Sequence, residues 1–339
     1  MAGAFFREND IRSGDFGKFI DACRVKDIKR FFLDSKGRPL KKYFSCCACP
    51  GCGKKGNPLY FMKEKFIFRL CKKCGTLYIS PRPKLKRLSD YYADAESIRI
   101  FTREVLEKTA AVRKEKIFLP RAERLCRYLK NFKAGKQLLV EIGGGNGIFL
   151  ELLKERKLGF GEYLNIEPSG EGARLSRARG IKTLNCLAEE TRGLQADCIC
   201  AFELIEHLFD PLAFCRQVRS LLKPGGVFIL TTPNINGFDL LLLGKDSYNI
   251  SGPNHLNYFN PESMAILLKR SGFKVVALET PGVLDVDIVY NRVKGGYKLN
   301  DRFVLSLLNK GDSLRDKLQL FLQDNLLSSN MLVVARKSC

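Results

Sequence analysis

The chain has 339 residues, 45% of them hydrophobic, which excludes a wholly disordered polymer and predicts more than one folded unit. It has no run of about 18 apolar residues and no apolar secretion signal at its start, so we expect a cytoplasmic protein without a membrane span. The net charge of +22 is uneven, because residues 1–135 carry 33 Lys and Arg against 14 Asp and Glu, a net +19. This excess is typical either of a module that binds an anionic partner such as nucleic acid or of a lysine-rich solvated surface.

Three predicted parts precede residue 136. Residues 1–42 are a basic N-terminal segment with one amphipathic helix in "FGKFIDACRVKDIKRFFLD". Residues 43–83 hold close cysteine pairs and, in "LYFMKEKFIFRL", two predicted strands. Residues 84–135 form a predicted helical linker, in which one helical face carries Leu125, Leu129 and Phe132.

Two cysteine pairs predict a zinc ribbon over residues 43–83. Each pair has the form Cys-x-x-Cys-Gly, and 18 residues separate the pairs, which consist of Cys49 and Cys52, and of Cys71 and Cys74. Four thiolates satisfy tetrahedral zinc and leave no open coordination position, so the predicted zinc is structural. A redox-active dithiol is the alternative, and Cys46 or Cys47 is an alternative ligand.

An α/β pattern begins at residue 136 and continues to the C-terminus. Helices begin at the caps Asp210 and Asn260, each followed by proline. This alternation predicts an open parallel sheet with helices on both faces. Residues 283–325 break the rhythm and are predicted to be an insertion, a polar loop followed by a helix, before the last strand "NMLVVARK". The predicted strands lie in "QLLVEI", "GEYLNIEP", "IKTLNCL", "ADCICAFELI", "GVFILTTPN" and "FKVVALE".

The first turn of this α/β region, "VEIGGGNG", predicts a nucleotide-type cofactor. Glycines let the backbone approach a ligand closely, and the following helix offers free N–H groups. The dinucleotide fingerprint requires a third small residue where this chain has Ile148, so that cofactor fits less well. Glu167, which closes "YLNIE", is able to accept the ribose hydroxyls of a dinucleotide or of another nucleotide-type cofactor.

The ordered series of motifs resembles the class I S-adenosylmethionine (SAM)-dependent methyltransferases, nearest to the group of ubiquinone-biosynthesis O-methyltransferases. The resemblance covers about residues 138–282 and the last strand. It implies an α/β, Rossmann-like seven-stranded class I methyltransferase sheet within residues 136–339. Together with the ribbon, the chain resembles bacterial two-module methyltransferases that act on sugars or natural-product intermediates. The motifs are "VEIGGGNG", "YLNIEP", "CLAEE", "DCICAFELIEHLFDP", "LLKPGGVFILTTPN" and "HLNYFNPESMAILLKRSGF".

The resemblance also implies roles in cofactor binding. The glycine loop would hold the amino-acid part of SAM, with Glu141 near the amino group and Glu167 at the ribose. Leu187 and Ala188 would meet the adenine, and Phe202 would line the sulfonium side. The implied loop residues are Gly143, Gly145, Asn146 and Gly147.

Catalytic candidates are drawn from the chain's two histidines, since a general base is needed if the acceptor must lose a proton. If residues 203–207 are helical, Glu203, Glu206 and His207 share one face, which would suit a divalent cation or a base. The alternative is a hydrogen-bond network that orders the loop. His255 follows the fifth strand, where the resemblance implies the acceptor, with Tyr258 nearby to orient a hydroxyl.

The leading hypothesis is an enzyme that transfers a methyl group from SAM to oxygen or carbon of a small or carrier-linked acceptor, such as a sugar, lipid or natural-product intermediate. The alternative is an RNA or protein methyltransferase that uses the basic N-terminal part. A third is a SAM-binding protein without catalysis. No Asn-Pro-Pro-Tyr motif for amino methylation is found.

Overall fold

The computed structural model of the protein describes residues 7–11, 14–131 and 136–338. It contains two compact units that alternate along the chain. The ribbon unit comprises the described residues up to Ala110, with Pro233–Ser263 and Glu279–Met331. The sheet unit comprises Ala111–Thr232, Met264–Leu278 and the described residues from Leu332 onwards. Among the residues described, no helix is both long enough and apolar enough to cross a membrane.

The strands follow the predicted positions closely, with short additions in the ribbon unit. They are β1 (Phe44–Ser45), β2 (Leu59–Lys63), β3 (Phe66–Leu70), β4 (Leu77–Ile79), β5 (Arg82–Pro83), β6 (Leu138–Ile142), β7 (Glu162–Ile166), β8 (Lys182–Leu184), β9 (Ala196–Phe202), β10 (Leu222–Pro233), β11 (Asn257–Tyr258), β12 (Phe273–Glu279) and β13 (Asn330–Lys337).

Two of the helices begin at the capping residues that the sequence predicts. Asp210 accepts a hydrogen bond from the Ala213 N–H, and Asn260 accepts one from the Ser263 N–H, as the two Asp/Asn-Pro motifs predict. The helices are α1 (Gly14–Phe32), α2 (Leu85–Asp94), α3 (Glu96–Phe101), α4 (Ala110–Arg113), α5 (Leu119–Asn131), α6 (Ile148–Glu155), α7 (Gly170–Ala178), α8 (Pro211–Leu221), α9 (Phe238–Leu243), α10 (Pro261–Arg270), α11 (Asp285–Lys294), α12 (Arg302–Leu308) and α13 (Asp312–Asp324).

The sheet unit is built on seven strands in the order β12-β13-β10-β9-β6-β7-β8. β6 pairs in parallel with β7 on one side and with β9 on the other, so the strand order reverses at β6. Apolar runs in these strands are fully buried, as expected of a sheet covered on both faces. The predicted seven-stranded α/β sheet is confirmed. A reversal of this kind opens a crevice at the carboxyl ends of the strands, where ligands bind in such folds.

The ribbon unit contains a four-stranded sheet in the order β11-β4-β3-β2. Strands β2 and β3 lie in "LYFMKEKFIFRL", where strands are predicted, and they pair antiparallel; β4 pairs with β3. The fourth strand, β11, comes from the loop before α10, 178 residues beyond β4 in the sequence. The sequence predicts no strand there, because two residues are too few to show a period.

The region predicted as an insertion, residues 283–325, belongs to the ribbon unit and is largely helical. The polar loop predicted in this region, in the stretch "VYNRVKGGYKLNDRF" (residues 289–303), is wrong at both ends, because α11 runs to Lys294 and α12 begins at Arg302. Val286 and Val289 of α11 are buried against a small apolar cluster that includes Leu322 of α13. This packing overrides the polar character of the segment.

In the helical linker, Leu125 and Leu129 are buried as predicted, and Phe132 lies outside the described residues.

Candidate functional site

The glycine loop lies at the carboxyl end of β6, where the strand order reverses. Gly143, Gly145 and Gly147 have φ values of +74°, +53° and +78°, a region that disfavours residues with side chains. The Gly143 N–H donates to the Ile166 carbonyl at 2.8 Å. A Cβ atom on Gly147 would lie 2.5 Å from Ser176 Oγ, so glycine is also required there by space. Asn146 is half-buried within this loop.

Glu167 is bonded directly to the glycine loop. Its Oε2 accepts from the Gly145 N–H at 2.8 Å and its Oε1 accepts from the Ser169 N–H at 2.8 Å. Burial raises the pKa of Glu167, and the two backbone hydrogen bonds act in the opposite direction. Each carboxylate oxygen retains a second lone pair. The side chain can therefore accept two further hydrogen bonds from a ligand.

Glu141 is the second buried carboxylate of this site. Its Oε2 is fully enclosed and has no hydrogen-bond partner among the described residues. Burial raises the pKa of Glu141 to about 8, against an opposing effect of the Arg121 charge. A Cβ on Gly144 would lie 2.7 Å from this oxygen, so glycine makes room for the carboxylate. A buried acceptor without a partner marks a place for a ligand that donates hydrogen bonds.

Arg121 joins this group from α5, and the sequence reasoning did not identify it. Its guanidinium carbon lies 4.5 Å from the centroid of the Phe202 ring, and its side chain is 13% exposed. A guanidinium nitrogen lies 3.7 Å from a carboxylate oxygen of Glu203. Phe202 ends β9, the neighbour of β6, and is buried. Arg121 thus places a guanidinium beside the ring predicted to line the sulfonium side.

Leu187 and Ala188 begin a short turn after β8 in the same unit. Leu187 is 45% exposed, although it is apolar, while Ala188 is buried. Gln217 of α8 donates to the Ala188 carbonyl at 3.2 Å and fixes the turn. An exposed apolar side chain beside a fixed backbone offers a surface for a flat ring.

Residues 203–207 do not form the helix on which the predicted carboxylate–histidine face depends. Glu203 has φ +49° and precedes a single 3₁₀ turn, Ile205–His207. Glu203 accepts a hydrogen bond from the Thr231 hydroxyl, and Glu206 accepts one from the Thr232 hydroxyl. Consecutive residues of a strand point to opposite faces. The two carboxylates are therefore anchored on opposite faces of β10, and the prediction that they share one face is wrong.

His207 and Glu206 remain neighbours at the end of this turn. His207 is 30% exposed, and its Nε2 lies 3.9 Å from Glu206 Oε1, beyond hydrogen-bond distance. Burial, and secondarily the charge of Glu203, raise the pKa of Glu206 well above its usual range. The buried Glu206 is thus a group that tends to keep its proton beside a partly exposed imidazole.

Comparison with known proteins identifies the kind of domain that contains the seven-stranded sheet. A family model described as "Methyltransferase domain" matches residues 113–278. Residues 113–278 are a methyltransferase domain. A relative from Mycolicibacterium smegmatis named "Probable S-adenosylmethionine-dependent methyltransferase" is 29% identical over 164 residues, 48% of this chain and 61% of the relative. The seven-strand order and the name of this relative agree with what the resemblance to class I SAM-dependent methyltransferases implies.

Two further proteins are similar to this chain. The mitochondrial ubiquinone biosynthesis O-methyltransferase of Arabidopsis thaliana is 27% identical over 145 residues, which cover 40% of this chain and 41% of that protein. The crystal structure of the plantazolicin methyltransferase BamL matches with a TM-score of 0.49 and 15% identity, covering 75% of this chain and 95% of that one. The chain spans about three fifths of the Mycolicibacterium relative and two fifths of the Arabidopsis one.

His255 lies in the ribbon unit, in the segment that contains β11. Its Nδ1 is 2.9 Å from the Asn249 carbonyl, an oxygen that only accepts, so Nδ1 is the donor in this hydrogen bond. Its ring meets the Tyr258 ring edge-on at 5.9 Å. Tyr258 is fully buried, and its hydroxyl accepts from the Ser251 N–H at 3.0 Å. Tyr258 therefore orders the segment, and its orientation of a substrate hydroxyl stays a prediction.

The four predicted cysteines converge in the ribbon unit. Their sulfur atoms all lie within 4.8 Å of one another, with 3.6 Å between Cys49 and Cys74 and 3.5 Å between Cys52 and Cys71. Zinc–sulfur bonds of about 2.3 Å in a tetrahedron place sulfurs about 3.8 Å apart, so the group fits zinc. The hydrogen bond between the Cys49 and Cys74 sulfurs lowers the pKa of Cys74 to about 4 and raises the pKa of Cys49. A bound metal would take both as thiolates.

Proposed function

We propose that this chain is an enzyme that transfers a methyl group from SAM to oxygen or carbon of a small or carrier-linked acceptor. The observation that carries the proposal is the glycine loop held between two buried carboxylates, Glu141 and Glu167, within the methyltransferase domain. A ligand with an ammonium group and a ribose complements that pair of acids. The matched relatives named as SAM-dependent enzymes support the same cofactor.

The proposed cofactor contacts follow from what each group offers. Glu167 would accept the ribose hydroxyls with its remaining lone pairs, and Glu141 would accept from the ammonium group. To the residues predicted from sequence we add Arg121, whose guanidinium suits the carboxylate of the same amino-acid part. The glycine-loop backbone and Asn146 would line this part, and the adenine would lie on Leu187 and Ala188. Phe202 would border the sulfonium.

Methyl transfer from SAM requires the chain to position the acceptor and, for some acceptors, to remove a proton. The sulfonium supplies an activated methyl group, so in-line orientation of the acceptor accounts for much of the rate. If the acceptor is a hydroxyl or an acidic carbon, a base must take its proton. His255 suits this role because the Asn249 carbonyl holds Nδ1, so in the neutral tautomer that makes this hydrogen bond Nε2 would carry the lone pair. His207 is the second candidate, with Glu206 as its neighbour.

The test is to incubate the protein with methyl-labelled SAM and an extract of its own source, and to separate the labelled products by class. Label in a sugar, lipid or other small molecule is expected. Label that nuclease or protease releases would instead support the RNA or protein alternative, to which the net +19 of residues 1–135 would then contribute. Bound SAM without any labelled product would leave a non-catalytic SAM-binding role.

Replacing the catalytic histidine is expected to slow turnover without weakening SAM binding. His255→Asn should lower kcat about 100-fold or more if its Nε2 is the base, because general bases contribute about that much. His207→Asn is the parallel variant in the other unit, and Glu206→Gln tests its neighbour. Turnover is measured with the labelled product pool and SAM affinity by calorimetry. A variant that turns over normally shows that its histidine has only a structural role.

The buried Glu141 carboxylate is expected to make SAM binding depend on pH. Because its pKa in the free protein is about 8, Glu141 keeps a proton below that pH, whereas an ammonium ligand requires the carboxylate. Affinity should therefore fall by up to about tenfold per pH unit as pH decreases below about 8, and binding should release a proton. Calorimetry in buffers of different ionisation heat measures both effects.

Glu141→Gln should weaken SAM binding and abolish its pH dependence. By the same linkage, the raised pKa of Glu141 stabilises the free protein at low pH. This stabilisation is lost as pH rises through about 8. Glutamine does not titrate, so the variant should show no such loss. Glu162→Gln, an exposed acid paired with Lys182, is the matched control and should change neither property. A wild-type affinity that is independent of pH would exclude Glu141 as the partner of the ammonium group.

For the cysteine cluster we propose a structural zinc ion held by Cys49, Cys52, Cys71 and Cys74. All four positions of the tetrahedron are then filled by sulfur, so the metal has no open position for a substrate. We also propose that the chain is divided into four parts: a basic segment (1–42), a ribbon (43–83), a helical linker (84–135) and a methyltransferase region (136–339).

A further inference from the structure

The segment that carries His255 is built onto the ribbon. We name residues 249–260 the histidine loop. Within it, β11 pairs antiparallel with β4, with Asn257 opposite Tyr78 and Tyr258 opposite Leu77. We call each Cys-x-x-Cys-Gly stretch a cysteine knuckle. The strand β4 directly follows the second knuckle, Cys71–Gly75. The ribbon sheet therefore ends in a strand that the histidine loop supplies.

A second contact links the loop to the metal-site backbone itself. The Asn260 side-chain amide donates to the Cys74 carbonyl at 3.0 Å, while its oxygen accepts from the Ser263 N–H at 2.7 Å. A Cβ on Gly75 would lie 2.5 Å from that amide nitrogen, so the knuckle glycine makes room for Asn260. One side chain thus joins a cysteine knuckle to the start of α10.

Further contacts hold the rest of the loop to ribbon-unit side chains. Arg82 donates to the Asn257 side-chain oxygen at 3.1 Å, and the Tyr91 hydroxyl donates to the Asn254 side-chain oxygen at 2.7 Å. The Ile79 N–H donates to the Leu256 carbonyl at 3.0 Å. His255 is flanked by these anchored residues on both sides.

We infer that the four-cysteine site is a positioning device for His255. Metal binding fixes the two knuckles, the second knuckle fixes β4 and Asn260, and these fix the histidine loop. The ribbon would then serve the proposed reaction by holding His255 in place. The inference rests on the proposed zinc site and on the proposed role of His255, but its test requires neither turnover nor a known acceptor.

The chain has only two histidines, so the imidazole proton NMR spectrum of the full-length protein has one other ring from which His255 must be distinguished. The variants His255→Asn and His207→Asn assign the two signals. Removing the metal from the purified protein with EDTA should shift or broaden the His255 resonance. An unchanged His255 signal would overturn the inference.

Asn260→Asp tests the link without removing the metal. The aspartate oxygen keeps the cap of α10, but the group that donated to the Cys74 carbonyl is lost. Zinc content should stay at the wild-type level, while amide hydrogen exchange in residues 255–260 should accelerate about tenfold and the His255 signal should shift. Asp301→Asn makes the converse exchange at the cap of α12 and should leave this segment unchanged.

The outcomes separate this inference from the proposals beneath it. If the wild-type protein contains no metal, the zinc proposal fails, and Asn260→Asp alone decides whether the knuckle positions the loop. If metal is present and Asn260→Asp changes neither the exchange nor the His255 signal, the positioning inference fails while the zinc proposal stands. If both effects appear but His255→Asn turns over normally, only the base assignment fails.

Discussion

Replacing Cys52 and Cys71 together by serine is expected to abolish zinc binding and to unfold the ribbon. The two residues come from different knuckles, and their sulfurs lie 3.5 Å apart, so the variant removes half of the ligand set. Structural zinc contributes about 10–16 kcal/mol of apparent binding energy in small modules, which is comparable to the stability of a whole domain. The ribbon's own strands, β1 to β5, are only two to five residues long, so we expect their apolar contacts to offset only part of such a loss.

The measurement combines metal analysis with limited proteolysis read by mass spectrometry. The wild-type protein should contain one zinc per chain, and the double variant none. New cleavage is expected within residues 43–83, while residues 138–231 of the sheet unit stay protected and SAM still binds.

Cys46→Ser with Cys47→Ser is the matched control, since both residues lie in the same module outside the cluster. The control should keep its zinc. Zinc retained by Cys52→Ser/Cys71→Ser would show that other residues can complete the site, and a wild-type protein free of zinc would refute the site itself.

The parts of this molecule that the sequence predicted are those with a strong local pattern. Buried parallel strands appear as continuous apolar runs, helix starts carry Asp210 and Asn260 with a following proline, and paired cysteines have few other uses. The glycine loop could also be predicted from the sequence, because the positive φ at Gly143, Gly145 and Gly147 leaves little choice of residue.

The parts that the sequence missed depend on contacts between distant segments. β11 is two residues long and becomes a strand only because β4 lies beside it. Arg121 is one of 58 Lys and Arg, and nothing in its neighbourhood distinguishes it before the fold brings it over Phe202. The hypothetical helical face at 203–207 failed because Thr231 and Thr232 bind the two carboxylates on opposite faces of one strand.

Replacing Glu167 by glutamine is expected to reduce SAM affinity by about 100-fold. Hydrogen bonds to a charged group each contribute about 1.5–3 kcal/mol, so losing two ribose contacts costs about 3 kcal/mol or more. The glutamine also disturbs the loop, because both oxygens of Glu167 now accept backbone N–H groups, from Gly145 and Ser169. Whichever position the new NH₂ occupies, it faces another donor and leaves one buried N–H unpaired.

Isothermal calorimetry with SAM and with its demethylated product measures the affinity, and thermal unfolding of the free protein measures the cost to the loop. Glu171→Gln is the matched control, since Glu171 is an exposed acid in the first turn of α7 that pairs with Arg174. Surface pairs of this kind contribute little, so neither affinity nor stability should change appreciably.

Glu167→Asp separates the two roles of the carboxylate. It keeps the charge but withdraws the oxygens by one methylene, so it should bind SAM more weakly than wild type and more tightly than Glu167→Gln. If Glu167→Gln and the wild type bind SAM equally while both are folded, the carboxylate serves only to hold the glycine loop, and the ribose must be bound elsewhere. If affinity falls with little change in unfolding temperature, the remaining lone pairs of Glu167 are those that the ligand uses.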